Sequence, residues 1–292
     1  MSYGVPTAAN SPGAQVPVCP RHPDRVSYVR CQRCGRPACT ECQRQAAVGI
    51  QCVDCVRETA KAAPVKRTMF GGVARGGRPV ITFGLIALCV LVFIGEWIPG
   101  LNLVINFGYA PVTTETQPWR MLTSVFTHST GFPLHILLNM YSLYVLGSVL
   151  EPIFGRLRFF TVFLISGLAG SVGVLLIGNP EQLVVGASGG IFGLFGALFV
   201  LQLKRRGDLR QILVLLVINA AIGFFVPGIA WQAHLGGLIG GALVAAVMLY
   251  APAGASKRVL EWGGVVVVLL ILLVLTVWGA ASLHEISKFY VF

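Results

Sequence analysis

From residue 80 onward, long apolar runs alternate with short polar breaks. The runs lie near 80–98, 134–151, 157–177, 185–203, 211–228, 231–250 and 262–282. Each approaches the roughly 20 apolar residues that a membrane-spanning helix needs. Their hydrophobicity is continuous, without the βα alternation of a parallel-sheet protein. The pattern predicts an all-α polytopic membrane protein with seven spanning helices, the boundary between the fifth and sixth resting on the short turn Phe225-Val226-Pro227-Gly228. Before residue 80 the pattern changes. Residues 1–18 are rich in Pro, Ala, Ser and Gly and hold no apolar signal-peptide core, so a disordered leader is expected. Residues 19–56 are dense in cysteine and form a candidate metal-binding domain. Residues 57–79 read as a basic linker, 80–250 as a membrane core, and 251–292 as a seventh helix and tail.

Composition agrees with a lipid environment. Of 292 residues 55% are hydrophobic and only 11% charged, against about 25% charged in soluble chains. The net charge of +11 is uneven, because residues 1–78 hold 12 Lys/Arg against 4 Asp/Glu. No basic patch with interleaved aromatics accompanies it, so no nucleic-acid partner is expected. Loop charge sets a topology instead. With the N-terminus inside, Arg156, Arg158, Lys204, Arg205, Arg206, Arg210, Lys257 and Arg258 flank inside loops, while only Arg120 and Lys288 lie outside. That is the positive-inside asymmetry. It predicts a multi-pass cell-membrane protein with a cytoplasmic N-terminus.

Seven of eight cysteines fall between Cys19 and Cys55, whereas Cys89 sits in an apolar run. With His22 they make four pairs: Cys19-x-x-His22, Cys31-x-x-Cys34, Cys39-x-x-Cys42 and Cys52-x-x-Cys55. Eight soft ligands in such pairs fit two tetrahedral zinc ions. A disulfide framework would need an oxidising compartment and leaves His22 unexplained. The spacing resembles a B-box-type zinc finger, whose later histidine pair is replaced here by Cys52 and Cys55. That resemblance implies interleaved sites, with Cys19, His22, Cys39 and Cys42 on one ion and Cys31, Cys34, Cys52 and Cys55 on the other. Sequential pairing stays open. Such a module implies a cytoplasmic protein partner, and metal binding would supply most of its folding energy.

Polar side chains inside the apolar runs are costly and point to function. Ser188 opens its run between glycines, in Gly186-Ala187-Ser188-Gly189-Gly190. His234 stands near the start of the sixth run; His135 and Asn139 are four residues apart on one face of the second. In the predicted topology all four lie toward the outer side. One alone would read as hydrogen-bond glue between helices. Together they suggest a serine nucleophile with a histidine base. No acid is near either residue in sequence, so a dyad is expected. The free N–H of Ser188 at a helix start, with His135 and Asn139, can stabilise an oxyanion.

These residues resemble the rhomboid family of intramembrane serine proteases. The resemblance covers about residues 80–250 and rests on Gly186-x-Ser188-Gly189, Ala233-His234-x-x-Gly237-x-x-x-Gly241, His135-x-x-x-Asn139, Trp119-Arg120 and Glu151-x-x-x-Gly155. It implies a six-helix core with an added seventh helix, Ser188 as nucleophile and His234 as base. His135, Asn139 and the Ser188 N–H become oxyanion donors, and Phe192 stacks on the base where tyrosine is common. No cofactor takes part in catalysis. The implied substrates are transmembrane proteins, cut near their outer end in the bilayer. His128 is given no catalytic role. Gly186-x-Ser188-x-Gly190 also fits a soluble hydrolase elbow, but the strand and sheet that motif needs are missing. His-Glu-x-x-His, the metalloprotease signature, is absent. The midplane charges of a transporter are absent too. The remaining alternative is a catalytically inactive rhomboid-like protein that binds and routes membrane proteins.

Overall fold

The computed structural model describes residues 16–62, 78–225, 228–252, 254 and 256–289. Residues 1–15 of the expected leader, 63–77 of the linker and the Val226-Pro227 part of the short break lie outside the described residues. The chain divides into two compact units, residues 1–65 and 66–292.

The first unit is built around its cysteines. Strands β1 (Val18–Cys19) and β2 (His22–Val26) pair antiparallel, as do β3 (Gln43–Gln45) and β4 (Ile50–Cys52). Helix α1 (Val53–Ala62) follows. The buried core is almost wholly sulfur: Cys19, Cys31, Cys39, Cys42, Cys52 and Cys55, with Ala38. So small an apolar core cannot offset the entropy of ordering the segment. Two boundaries differ from expectation. The fold starts at Val18, inside the presumed leader, because Val18 pairs with Val26. Helix α1 runs past residue 56 into the presumed linker, where Thr59 Oγ1 donates to the Cys55 carbonyl.

The second unit is helical: α2 (Val80–Glu96), α3 (Leu103–Phe107), α4 (Arg120–Thr123), α5 (Leu134–Phe154), α6 (Arg156–Ile177), α7 (Ser188–Arg205), α8 (Arg210–Phe225), α9 (Trp231–Tyr250) and α10 (Lys257–Phe289). Among the described residues α5, α6, α9 and α10 are long and apolar enough to cross a membrane. Helices α2 and α8 are shorter apolar helices. Helix α7 is deeply packed and glycine-rich, and its C-terminal turn carries Gln202, Lys204 and Arg205, which lower its hydropathy. This is a multi-pass membrane protein.

Glycine determines the centre. Helices α6, α7 and α9 pack together most closely. A Cβ on Gly170 would stand 2.9 Å from the Ala233 carbonyl oxygen. On Gly241 it would overlap the Gly193 carbonyl, and on Gly236 the Ala169 carbonyl. Three backbones therefore approach as only small residues permit.

Charged residues hold the periphery. Glu151, at the end of α5, accepts the N–H groups of Ile81 (3.0 Å) and Thr82 (2.8 Å) and the Thr82 hydroxyl (2.8 Å). It caps the start of α2, whose own Pro79 supplies no side-chain cap. Glu261 of α10 is 1% exposed and takes two hydrogen bonds from Arg158 of α6, at 2.6 and 3.2 Å. This pair joins α10 to α6. Arg158, expected beside an inside loop, sits in the first turn of α6.

Candidate active site

Ser188 is the first residue of α7, and Ala187 before it offers no side-chain cap. The N–H groups of that first turn therefore have no intrahelical acceptor. The approach to Ser188 is fixed by backbone bonds. Tyr109 and Val184 exchange N–H···O bonds of 3.0 and 2.7 Å, and Gly186 donates to the Ser124 carbonyl at 2.9 Å. Gly186 has φ +121°, in the region that glycine tolerates, and a Cβ there would lie 2.7 Å from the His135 ring. Glycine is thus required both by conformation and by the imidazole packed against it.

His234, in the first turn of α9, places Nε2 3.0 Å from Ser188 Oγ. Phe192, one turn along α7 from Ser188, stacks on the His234 ring with centroids 4.1 Å apart and planes 9° apart. Two contacts thus orient the imidazole. Nδ1 is buried and has no hydrogen-bond partner among the described residues. Gly223 of α8 faces it, where a Cβ would stand 3.1 Å from Nδ1.

His135 lies beside this pair, against Gly186. Asn139, one turn further along α5, donates from Nδ2 to the His135 carbonyl at 2.8 Å, and its Oδ1 is buried without a partner. An amide carries two donor hydrogens, and this bond takes one. The structure thus brings Ser188, His234, Phe192 and His135 together, with Asn139 behind His135.

Sequence reasoning named Arg120 and His128 but not what they hold in place. His128 is fully buried, with its ring centroid 5.4 Å from that of His135. Its backbone N–H donates to Glu96 Oε1 at 2.8 Å, tying the end of α2 to this corner. Arg120 Nη1 donates to the Ile105 carbonyl at 2.7 Å, and Ser171 Oγ to the Met121 carbonyl at 2.6 Å. These bonds pin the long connection between α2 and α5. Beside His234 an apolar cavity of about 590 Å³ is walled by Phe192, Leu216, Val217, Ala220, Trp231 and Leu238.

The eight candidate metal ligands fall into two groups, Cys19, His22, Cys39 and Cys42, and Cys31, Cys34, Cys52 and Cys55. Within each, the ligand atoms lie within 4.8 Å of one another. His22 Nδ1 is 3.2 Å from Cys39 Sγ, 3.4 Å from Cys42 Sγ and 4.0 Å from Cys19 Sγ; Cys34 and Cys52 Sγ are 3.8 Å apart. A zinc tetrahedron with bonds of about 2.0–2.3 Å has edges of roughly 3.6–3.8 Å. The donor sets therefore fit such an ion in both spacing and chemistry. Glu41, 3.8 Å from His22 Nε2, lies behind the ring as carboxylates do behind metal-bound histidines.

A serine hydrogen-bonded to an aromatic-stacked histidine, within a glycine-packed bundle of apolar helices, defines the class: a multi-pass membrane protein with a Ser–His contact inside its helical core. Residues 115–251 match the rhomboid domain family. The chain is 32% identical over 208 residues to the rhomboid protease GluP of Bacillus subtilis (strain 168), covering 67% of this chain and 40% of that protein. It is 33% identical over 175 residues to YdcA of the same organism, named there as a candidate rhomboid protease, covering 57% of this chain and 86% of that one. It is 35% identical over 146 residues to RHOMBOID-like protein 5 of Arabidopsis thaliana, covering 47% of this chain and 46% of that protein. The chain belongs to the rhomboid family. It spans less than half of the first and third of these relatives.

Proposed function

We propose that this protein is an intramembrane serine protease that cleaves transmembrane proteins near their outer end with a Ser188–His234 dyad. The observation that carries the reading is the 3.0 Å contact between His234 Nε2 and Ser188 Oγ, held by the Phe192 stack. In the proposed reaction, Ser188 Oγ attacks a peptide carbonyl and its proton passes to His234 Nε2. The oxyanion is stabilised by the Ser188 N–H and by His135 and Asn139. His234 then gives the proton to the leaving amine, and the acyl-enzyme forms. Water, deprotonated by His234, hydrolyses the ester and restores the serine. The unpartnered Nδ1 supports a dyad without a third, acidic member. The apolar cavity beside His234 suits an apolar substrate side chain. We further infer a cytoplasmic N-terminus from loop charge and two structural zinc ions in the first unit, a B-box-like module that takes no part in the chemistry.

The inactive, routing alternative is less favoured, because both dyad residues are present and in hydrogen-bonding contact. The deciding experiment is labelling of the purified protein by a serine-reactive fluorophosphonate, with Ser188→Ala as control. Labelling of wild type alone supports the protease. No labelling of wild type, with no cleavage of varied single-span substrates, moves the reading to the routing protein.

A further inference from the structure

The two cysteine groups of the first unit differ in their access to solvent. In the group of Cys19, His22, Cys39 and Cys42 every cysteine is buried. In the group of Cys31, Cys34, Cys52 and Cys55 three are buried and Cys34 is exposed. The local backbone puts it there. Residues 31–36 form a tight turn, in which the Cys31 N–H donates to the Arg36 carbonyl at 2.9 Å and the Gly35 N–H to the Cys31 carbonyl at 2.8 Å. Gly35, with φ +71°, lets the chain reverse. The Gln32 N–H donates to the Ile50 carbonyl at 2.9 Å and fastens the turn to β4. Cys31 thus lies at the base of the turn and Cys34 near its tip.

Cys34 also has a cation and a second sulfur beside it. Arg36 Nε donates to Cys34 Sγ at 3.4 Å, and Arg36 Nη2 stands 3.8 Å from Asp54 Oδ2. Cys52 Sγ, at the end of β4, is 3.8 Å from Cys34 Sγ. A cysteine is oxidised most readily where its sulfur is a thiolate, is reachable from solvent and has a second cysteine close enough to resolve it. Metal ligation makes the sulfur a thiolate. All seven cysteines of the unit meet that first condition when the ions are bound; Cys34 alone is exposed.

We propose that Cys34 is a peroxide-reactive metal ligand, whose oxidation to a Cys34–Cys52 disulfide releases the ion of the second group while the first group keeps its own. The inference rests on the two-zinc reading of this unit and not on protease activity. Cys34 Sγ attacks one oxygen of hydrogen peroxide. The O–O bond breaks, Cys34 becomes a sulfenic acid, and the departing hydroxide, met by the Arg36 cation, takes a proton from solvent to become water. Cys52 Sγ then attacks the Cys34 sulfur. An S–S bond forms, and a second hydroxide leaves and is protonated to water. Two thiolates have lost two electrons, and one peroxide has become two waters. The sulfurs close from 3.8 Å to about 2.0 Å. Cys31 and Cys55 alone then remain for an ion that takes four ligands. Because Cys52 ends β4 and Cys55 stands in the first turn of α1, release loosens α1 from the hairpin.

The test uses the full-length protein in detergent, with its zinc counted beforehand by elemental analysis. Hydrogen peroxide is added with a chromogenic zinc chelator, and a parallel sample without peroxide gives the baseline. One of the two ions should be released. Peptide mass spectrometry should then show a Cys34–Cys52 disulfide, and dithiothreitol with added zinc should restore the original content. Trypsin should cut at Arg57 and Lys61, both on α1, faster than before treatment. Cys34→His keeps a fourth ligand but removes the reactive sulfur, so this variant should hold both ions through the same treatment. Two ions with none released, both ions released at one rate, or a disulfide that omits Cys34 or Cys52 would overturn the proposal. So would release from Cys34→His at the wild-type rate; should that variant fail to load two ions, the wild-type disulfide map decides. Fewer than two ions before peroxide would overturn the zinc reading, and this inference with it.

Discussion

Gly237 lies one turn beyond His234 on α9, against Gly189, the residue after Ser188. Gly237→Ala adds one methyl group at the point where the two helices carrying the proposed dyad meet. A Cβ there would stand 2.8 Å from the Gly189 carbonyl carbon and 3.0 Å from its Cα, and closer still to its oxygen. Ordinary contact begins at 3.4 Å. The obstacle is backbone on a packed helix, which cannot rotate aside as a side chain would. Relief requires α7 and α9 to part by about 1 Å, as close-packed interiors transmit such strain. The 3.0 Å Ser188–His234 contact would then open toward roughly 4 Å, past hydrogen-bonding range. Misplacement of a reacting group by about 1 Å can cost about 10²-fold in rate. Alanine is also the better helix former, by about 1 kcal/mol, so a loss of activity here opposes intrinsic propensity. The assay is cleavage of a model single-span substrate in liposomes, alongside the rate of fluorophosphonate labelling. Gly84→Ala on α2, where a Cβ meets nothing within 4 Å, is the control and should match wild type. Near-normal cleavage and labelling by a well-folded Gly237→Ala protein would refute the claim that this contact sets the dyad distance.

Ser188→Ala and His234→Ala should each reduce cleavage to background, and the double variant should be no worse, because the pair acts as one unit; full activity of either single variant would remove the dyad. His135→Ala and Asn139→Ala should each lose about 10²–10³ in rate while retaining measurable cleavage, since the Ser188 N–H remains. Phe192→Ala should slow cleavage by about tenfold or less, the worth of one aromatic stack, and Phe192→Tyr should be nearly silent; equal loss in both would mean that the stack is not what orients His234. The full-length protein should carry two zinc ions by elemental analysis. Cys39→Ser should disturb the same ion as Cys19→Ser, and cleavage in detergent should survive chelation, because the metal ligands are assigned no part in the chemistry.

The helices were legible because lipid imposes a single requirement along the chain: every apolar run between 80 and 282 in the expectation coincides with a helix. The ends were less legible. Helix α10 begins at Lys257, five residues before its apolar run, because Glu261 in its first turns pairs with Arg158. That attachment lies between residues 103 positions apart and leaves no local trace in the sequence. The two cysteine groups interleave because β1–β2 and β3–β4 fold back on themselves, bringing each pair beside the next but one. Ligand spacing alone left that open.

The same contrast applies at the candidate site. Ser188, His234, His135 and Asn139 stood out because polar groups are rare in apolar runs, and rarity is visible in a sequence. What holds them in place was invisible for an equally physical reason. The segment leading to Ser188 is held by the carbonyl of Ser124 and by backbone exchange between Tyr109 and Val184. Every residue type has a carbonyl, so no side-chain pattern could mark these positions. His128 was given no catalytic role; its ring sits beside that of His135 and its N–H donates to Glu96, a placement that no local pattern marks. The glycines fall between the two cases. Gly237 and Gly241 were noticed as part of a motif, but their physical role is clear only against Gly189 and Gly193 on the facing helix. Ser188 and His234 meet because those four glycines let two backbones touch. The 3.0 Å between His234 Nε2 and Ser188 Oγ is therefore set by residues with no side-chain chemistry of their own.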